Sequence, residues 1–98
     1  MGELVIGTCR VALHIPQSGS LKAKREVIRR LKDKVRNKFN VSIAEVDDGD
    51  LWQRATLGIA MVSKDSRFAN QVISSVVGLI ESHSDVCVID VETEFEVM

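Results

Sequence analysis

The hydrophobic pattern of this chain changes period four times in under a hundred residues, and that order of periods restricts the fold more than any other feature. Leu4 to Ile15 is rich in β-branched residues. Its odd positions Val5, Cys9, Val11, Leu13 and Ile15 are apolar, the two-residue period of a half-buried strand, and Pro16 ends it. From Leu21 to Phe39 the period lengthens. Leu21, Val27, Ile28, Leu31, Val35 and Phe39 fall within an arc of roughly 120° at ~100° per residue, the buried stripe of an amphipathic helix. Ser20 is placed to cap its start. Val41 to Val46 reads as a second strand, Asp47-Asp48-Gly49-Asp50 as a turn, and Gln53 to Val62 as a third strand in which Ala55, Leu57, Ile59 and Met61 share one side. Gly58 weakens that strand locally but admits the close approach of another surface. Ser63-Lys64-Asp65 opens a second helix carrying Phe68, Val72, Val76, Leu79, Ile80 and His83 on one face to near Ser84. The last strand, Val86 to Val97, is expected to turn Cys87, Ile89, Val91, Phe95 and Val97 inward and Asp90, Glu92, Glu94 and Glu96 outward.

Strand, helix, strand, strand, helix, strand predicts an α+β, ferredoxin-like βαββαβ domain spanning residues 1–98. Two right-handed crossovers place both helices on one face of a four-stranded antiparallel sheet, with the first and third strands central. At 98 residues the chain has room for one domain, whose core needs neither a disulfide nor a metal. Cys9 and Cys87 lie in apolar stretches without ligand spacing and are expected to be buried, reduced thiols, as in a cytoplasmic protein. No apolar run reaches the ~20 residues of a membrane span, and no signal pattern opens the chain.

Charge is where the sequence departs from an ordinary domain. The net value is −1, yet Leu21 to Phe39 holds nine basic residues against only Glu26 and Asp33, giving +7 and leaving −8 elsewhere. Lys22, Arg25, Arg29, Lys32 and Arg36 are spaced three, four, three and four, so they share the solvent side over about 21 Å of helix. Such a row matches the electrostatic footprint of a protein that follows a phosphate backbone, and these five residues are the candidate nucleic-acid contacts. The plain alternative is a solvated face stitched by pairs such as Glu26–Arg30 and Arg29–Asp33. Two acids do not balance nine bases, and the acidic last strand is the remaining source of neutralisation. Lys24 falls inside the apolar arc; its stem is expected along the core edge with its ammonium reaching outward.

Other features carry less. The open sheet face presents Thr8, Arg10, Ala12, Thr56, Gly58 and Ala60, without the aromatic residues on which an RNA-recognition sheet stacks bases. Its small and apolar members, with Leu4, Ile6 and Val62, suit packing against a second copy, so a homodimer is a further expectation. Trp52 is expected to be half-buried, closing the hairpin end of the core. Asp47-Asp48-Gly49-Asp50 lacks the later ligands of a calcium loop, His14 and His83 form no nucleophile–base pair, and neither a metal site nor a cofactor fingerprint is expected.

Three segments together resemble a known family: Ser20-Leu21-Lys22-Ala23-Lys24-Arg25 opening the basic helix, Phe39-Asn40-Val41-Ser42-Ile43-Ala44-Glu45-Val46, and Asp50-Leu51-Trp52-Gln53-Arg54-Ala55-Thr56-Leu57-Gly58. The chain is similar over nearly its whole length to the YlxP-like family of small bacterial proteins, a domain of unknown function. That resemblance implies a ferredoxin-like fold. It also implies a link to ribosome assembly or translation, because genes of that family often lie beside those of a translation initiation factor and a ribosome-binding factor. It brings no catalytic residues. The reading is therefore a non-enzymatic protein that binds RNA or the ribosome through its first helix. The alternatives are a dimeric interaction module and a phosphate-handling hydrolase of acylphosphatase-like topology, although Pro16-Gln17-Ser18-Gly19-Ser20 does not match the acylphosphatase loop.

Overall fold

A computed structural model describes residues 3–98. The elements follow as β1 (Val5–His14), α1 (Leu21–Lys38), β2 (Ser42–Asp47), β3 (Arg54–Ser63), α2 (Ser66–Glu81) and β4 (Cys87–Val97). The strands form one antiparallel sheet in the order β2-β3-β1-β4, so β1 and β3 are central and β2 and β4 are the edges. This is the expected ferredoxin-like α+β arrangement.

Each helix begins where the sequence signals it. The Ser20 hydroxyl accepts the Ala23 N–H at 3.0 Å, and the Asp65 carboxylate accepts that of Phe68 at 2.7 Å. Both caps satisfy donors that the first helical turn leaves without partners. Val5, Val11, Leu13 and Leu57 from the central strands meet Leu31 and Val35 of α1 and Val76 and Ile80 of α2, all fully buried. Gly7 belongs to this contact layer. A Cβ built on it would stand 2.9 Å from Ile73 Cδ1 and 3.3 Å from Phe95 Cε1, so the residue is small because α2 and β4 close over it.

Two irregularities change which side chains face the helices. In β2 the register against β3 shifts between Glu45 and Asp47, and the extra residue, Val46, leans over Gly58. The close approach that Gly58 permits is thus made by the chain's own edge strand. In β4 the register against β1 shifts so that Ala12 meets Asp90 but Leu13 meets Val88, leaving Ile89 in a bulge. The shift corrects the expected inner face of the last strand. Val91, Phe95 and Val97 do face the helix side, but Val88 replaces Cys87 toward the core, and the Cys87 thiol is exposed. No residue of β4 is fully buried, and Phe68 of α2, placed in the core by its spacing, is also exposed. No helix among the described residues is long and apolar enough to cross a membrane.

Candidate functional site

The five candidate contacts occupy one flank of α1. Lys22, Arg25, Arg29 and Arg36 are exposed and Lys32 is partly so. Because an apolar stripe fixes the rotation of α1 on the sheet, this flank turns toward the β2 edge. Arg36 shows it directly, donating from Nη2 to the carbonyl of Ile43 on β2 at 3.0 Å.

The row divides into anchored and unanchored members. Arg29 is held between Glu26 and Asp33, the latter at 3.3 Å, and Arg36 reaches Asp33 at 4.0 Å in addition to its bond to β2. The Arg29 guanidinium holds the Glu26 carboxyl below its ordinary range, and Glu26 in turn raises Arg29. Arg30, on the opposite flank, lies 3.9 Å from Glu26. Among the described residues, Lys22, Arg25, Lys32, Lys34 and Lys38 take part in no ion pair. The acids of the last strand offer no neutralisation. Asp90, Glu92, Glu94 and Glu96 stand opposite Ala12, Arg10, Thr8 and Ile6 on the open face, with the sheet between them and α1.

Lys24 differs most from expectation. Its ammonium does not reach outward; the residue is fully buried. Nζ donates to the carbonyls of Asp48, Gly49 and Arg54 at 2.8, 3.1 and 3.1 Å, and Glu45 Oε2 lies 3.2 Å away. The β2–β3 loop is thereby tied to the first turns of α1. Further bonds hold the same loop: Thr56 Oγ1 donates to Asp48 Oδ2 at 2.9 Å, and Gln53 Nε2 donates to the carbonyls of Pro16 and Ser18 at 3.2 Å each. Asp48 takes the left-handed conformation with φ of 64°, which its short polar side chain tolerates. At the tip, Leu51 and Trp52 are exposed, Trp52 by 56%. The expected half-buried tryptophan is therefore a surface residue.

The other side of the sheet presents a shallow, largely apolar depression of about 430 Å³ lined by Thr8, Arg10, Ala44, Val46, Gly58 and Ala60, with Glu92 and Glu94 along its β4 side. It has no aromatic lining, as the sequence indicated. In the loop before α1, Ser18 is buried and its hydroxyl donates to the Ser20 carbonyl at 3.1 Å.

Comparison with known proteins gives the family and the fold. A relative from Bacillus subtilis (strain 168), described as "Uncharacterized protein YlxP", is 39% identical over 82 residues, covering 84% of this chain and 89% of that protein. Among solved structures, the de novo designed protein Foldit4 superposes with a TM-score of 0.53 at 13% identity, covering 95% of this chain and 96% of the design, which is a likeness of fold alone. The family model described as "Protein of unknown function (DUF503)" matches residues 6–93, and on that match and the YlxP relative the chain belongs to the DUF503 family.

Proposed function

We propose that this protein is a non-enzymatic RNA-binding protein of ribosome assembly or translation, and that Lys22, Arg25, Arg29, Lys32 and Arg36 contact phosphates of a structured RNA. One observation carries the reading: the four β4 carboxylates stand on the sheet face opposite α1, and the acids near the helix, Glu45 and those of the β2–β3 loop, gather at its Lys24 end. Glu26 and Asp33 offset only part of the nine positive charges of α1 and the last strand offsets none at close range, so a cationic stripe about 21 Å long remains and suits a polyanion. The contacts are to backbone rather than to base edges, since long flexible cations on a surface helix position a nucleic acid without reading it.

The test is binding of a structured RNA hairpin as a function of salt. Affinity is expected to fall steeply, with log–log slope reduced by about 0.7–0.9 for each phosphate contact removed. Reversing Arg25, Arg29 and Arg36 to glutamate is expected to abolish most binding. A salt-insensitive affinity, or one unchanged by the three reversals, overturns the proposal.

A second reading, an interaction module that pairs with another copy through β4, draws support from the 39% exposure of Val91 and 51% of Ile89 on an edge strand of 11 residues. Two such edges would bring rows of carboxylates together. Self-association would then strengthen with salt, whereas RNA binding weakens, so sedimentation at two ionic strengths separates the readings.

A further inference from the structure

We infer that Trp52 is a stacking platform for an unpaired RNA base, set at the Lys22–Arg25 end of the basic row. The inference rests on the RNA-binding reading and names the substrate class within it: a paired stem whose backbone lies along α1, with an unpaired nucleotide at the end that meets the β2–β3 loop.

The argument begins with what the loop is built to do. Burying an ammonium requires that its hydrogen bonds be replaced, and Lys24 replaces them with three carbonyls of residues 48, 49 and 54. Gln53 locks the same loop to the segment preceding α1, and the Ile15 N–H donates to the Gln53 carbonyl at 2.8 Å. A loop held at both ends contributes no side chain of residues 48–53 to the core, yet it presents Leu51 and Trp52 to solvent. The fixed backbone thus holds a large aromatic surface outside the core, already ordered before a ligand arrives.

Its position selects the ligand. Lys24 joins the loop to the first two turns of α1, which carry Lys22 and Arg25, neither of them in an ion pair among the described residues. The loop itself carries Asp47, Asp48 and Asp50. These acids repel phosphate, so the backbone stays on the helix while an uncharged base reaches the indole. Specific single-stranded recognition uses this division, with cations on the backbone and an aromatic face beneath the base. A fully paired helix hides its base faces and leaves Trp52 without a partner.

The protein holds one tryptophan and no tyrosine, so its intrinsic emission reports this residue alone. The experiment compares an RNA hairpin carrying a one-nucleotide bulge with the same hairpin fully paired, each titrated into the full chain at fixed low salt. The bulged RNA is expected to quench Trp52 and to bind more tightly. Trp52→Ala is expected to weaken the bulged RNA about 5- to 100-fold and the paired one less than twofold, while Trp52→Phe keeps most of the preference. If both RNAs bind equally, without quenching and without an effect of Trp52→Ala, stacking is wrong while the phosphate row stands. If neither RNA binds and the Arg25, Arg29 and Arg36 reversals change nothing, the RNA reading itself fails and the inference with it. Because Trp52 is exposed, unaltered thermal unfolding of Trp52→Ala is the control for folding.

Discussion

Glu45 Oε2 lies 3.2 Å from Lys24 Nζ, yet receives no hydrogen bond from it. An ammonium has three protons, and Lys24 directs them to the carbonyls of Asp48, Gly49 and Arg54. Glu45 supplies charge where the carbonyls supply geometry. The pair places a formal ion inside the domain, where the loss of either member is unequal in effect. Lys24→Met is expected to leave three carbonyls and a carboxylate stranded and to cost about 3–5 kcal/mol. Glu45→Gln leaves the three donations in place and is expected to cost less. Urea denaturation of both variants checks the order; a Lys24→Met protein as stable as the parent would show that the loop is not held by this residue.

The five cations of α1 are not equivalent, which single substitutions reveal. Arg29 is already occupied by Glu26 and Asp33, so releasing it for a phosphate means breaking those contacts. Among the described residues, Lys22 and Arg25 form no ion pair that must be broken. Arg25→Gln is expected to weaken RNA binding more than Arg29→Gln, and Glu26→Gln is expected to strengthen it by freeing Arg29. Affinities at one low salt concentration suffice. Equal losses from Arg25 and Arg29 would mean that the intrahelical pairs dissolve at no cost in the complex.

His83 reports on acid stability. Burial, with Lys34 and then Arg30 nearby, lowers its affinity for a proton, while Asp85 acts in the opposite sense and does not prevail. Its Nδ1 accepts the Asp85 N–H at 3.3 Å, a bond that the protonated ring cannot accept. The unfolded chain therefore binds this proton more readily than the native one. Stability is expected to be full above pH ~6.5, the ordinary histidine value, and to be lost progressively as the pH falls through it toward the depressed native value. His83→Gln is expected to flatten that part of the profile. Chemical denaturation between pH 5 and 8 measures the slope; the same slope in His83→Gln would assign it to other groups.

Gly7 gives a packing test. An added methyl would stand 2.9 Å from Ile73 Cδ1 and 3.4 Å from Met61 Cγ, so the Ile73 side chain must shift to admit it. Gly7→Ala is expected to destabilise by about 1–3 kcal/mol, as overpacked cores do. Combining it with Ile73→Val removes the obstructing methyl and should recover part of the loss. Failure of that rescue would place the strain in the sheet backbone instead.

What could be read from the chain, and what could not, divides by range. Alternation and helical spacing are local, and with the Ser20 cap they identified every element and the sheet order. The basic row was equally local, and its exposure followed from the apolar stripe opposite it. Lys24 shows the limit. Its place inside that stripe signalled a buried stem, but three carbonyls from residues 48–54 converge on its ammonium only once the β2–β3 hairpin is folded against α1. The exposure of Trp52 has the same long-range origin. An aromatic beside a turn gives no local sign of which way a tethered loop will present it.

The bulge in β4 was beyond reach for a different reason, and it gives the last prediction. Cys87, Val88 and Ile89 are all apolar, so ahead of Asp90 the sequence has no polar marker to fix the phase of the strand. A shift of one residue exchanges the two faces, and both phases bury a comparable side chain. The observed register pairs Cys87 with His14 and turns the thiol to solvent, whereas Cys9 is buried beside Thr93, whose hydroxyl lies 3.6 Å from Sγ. Burial raises the Cys9 thiol above its ordinary pKa, opposed only in part by Thr93, so it is poor in thiolate as well as inaccessible. A thiol-specific disulfide reagent at pH 8 is accordingly expected to label one cysteine quickly and the second only at the rate of unfolding. Cys87→Ser should remove the fast phase and Cys9→Ser the slow one. Had the strand kept strict alternation through Ile89, Cys87 would face the helices and both thiols would react slowly; that outcome would remove the bulge, and with it the register on which the exposed face of β4 depends.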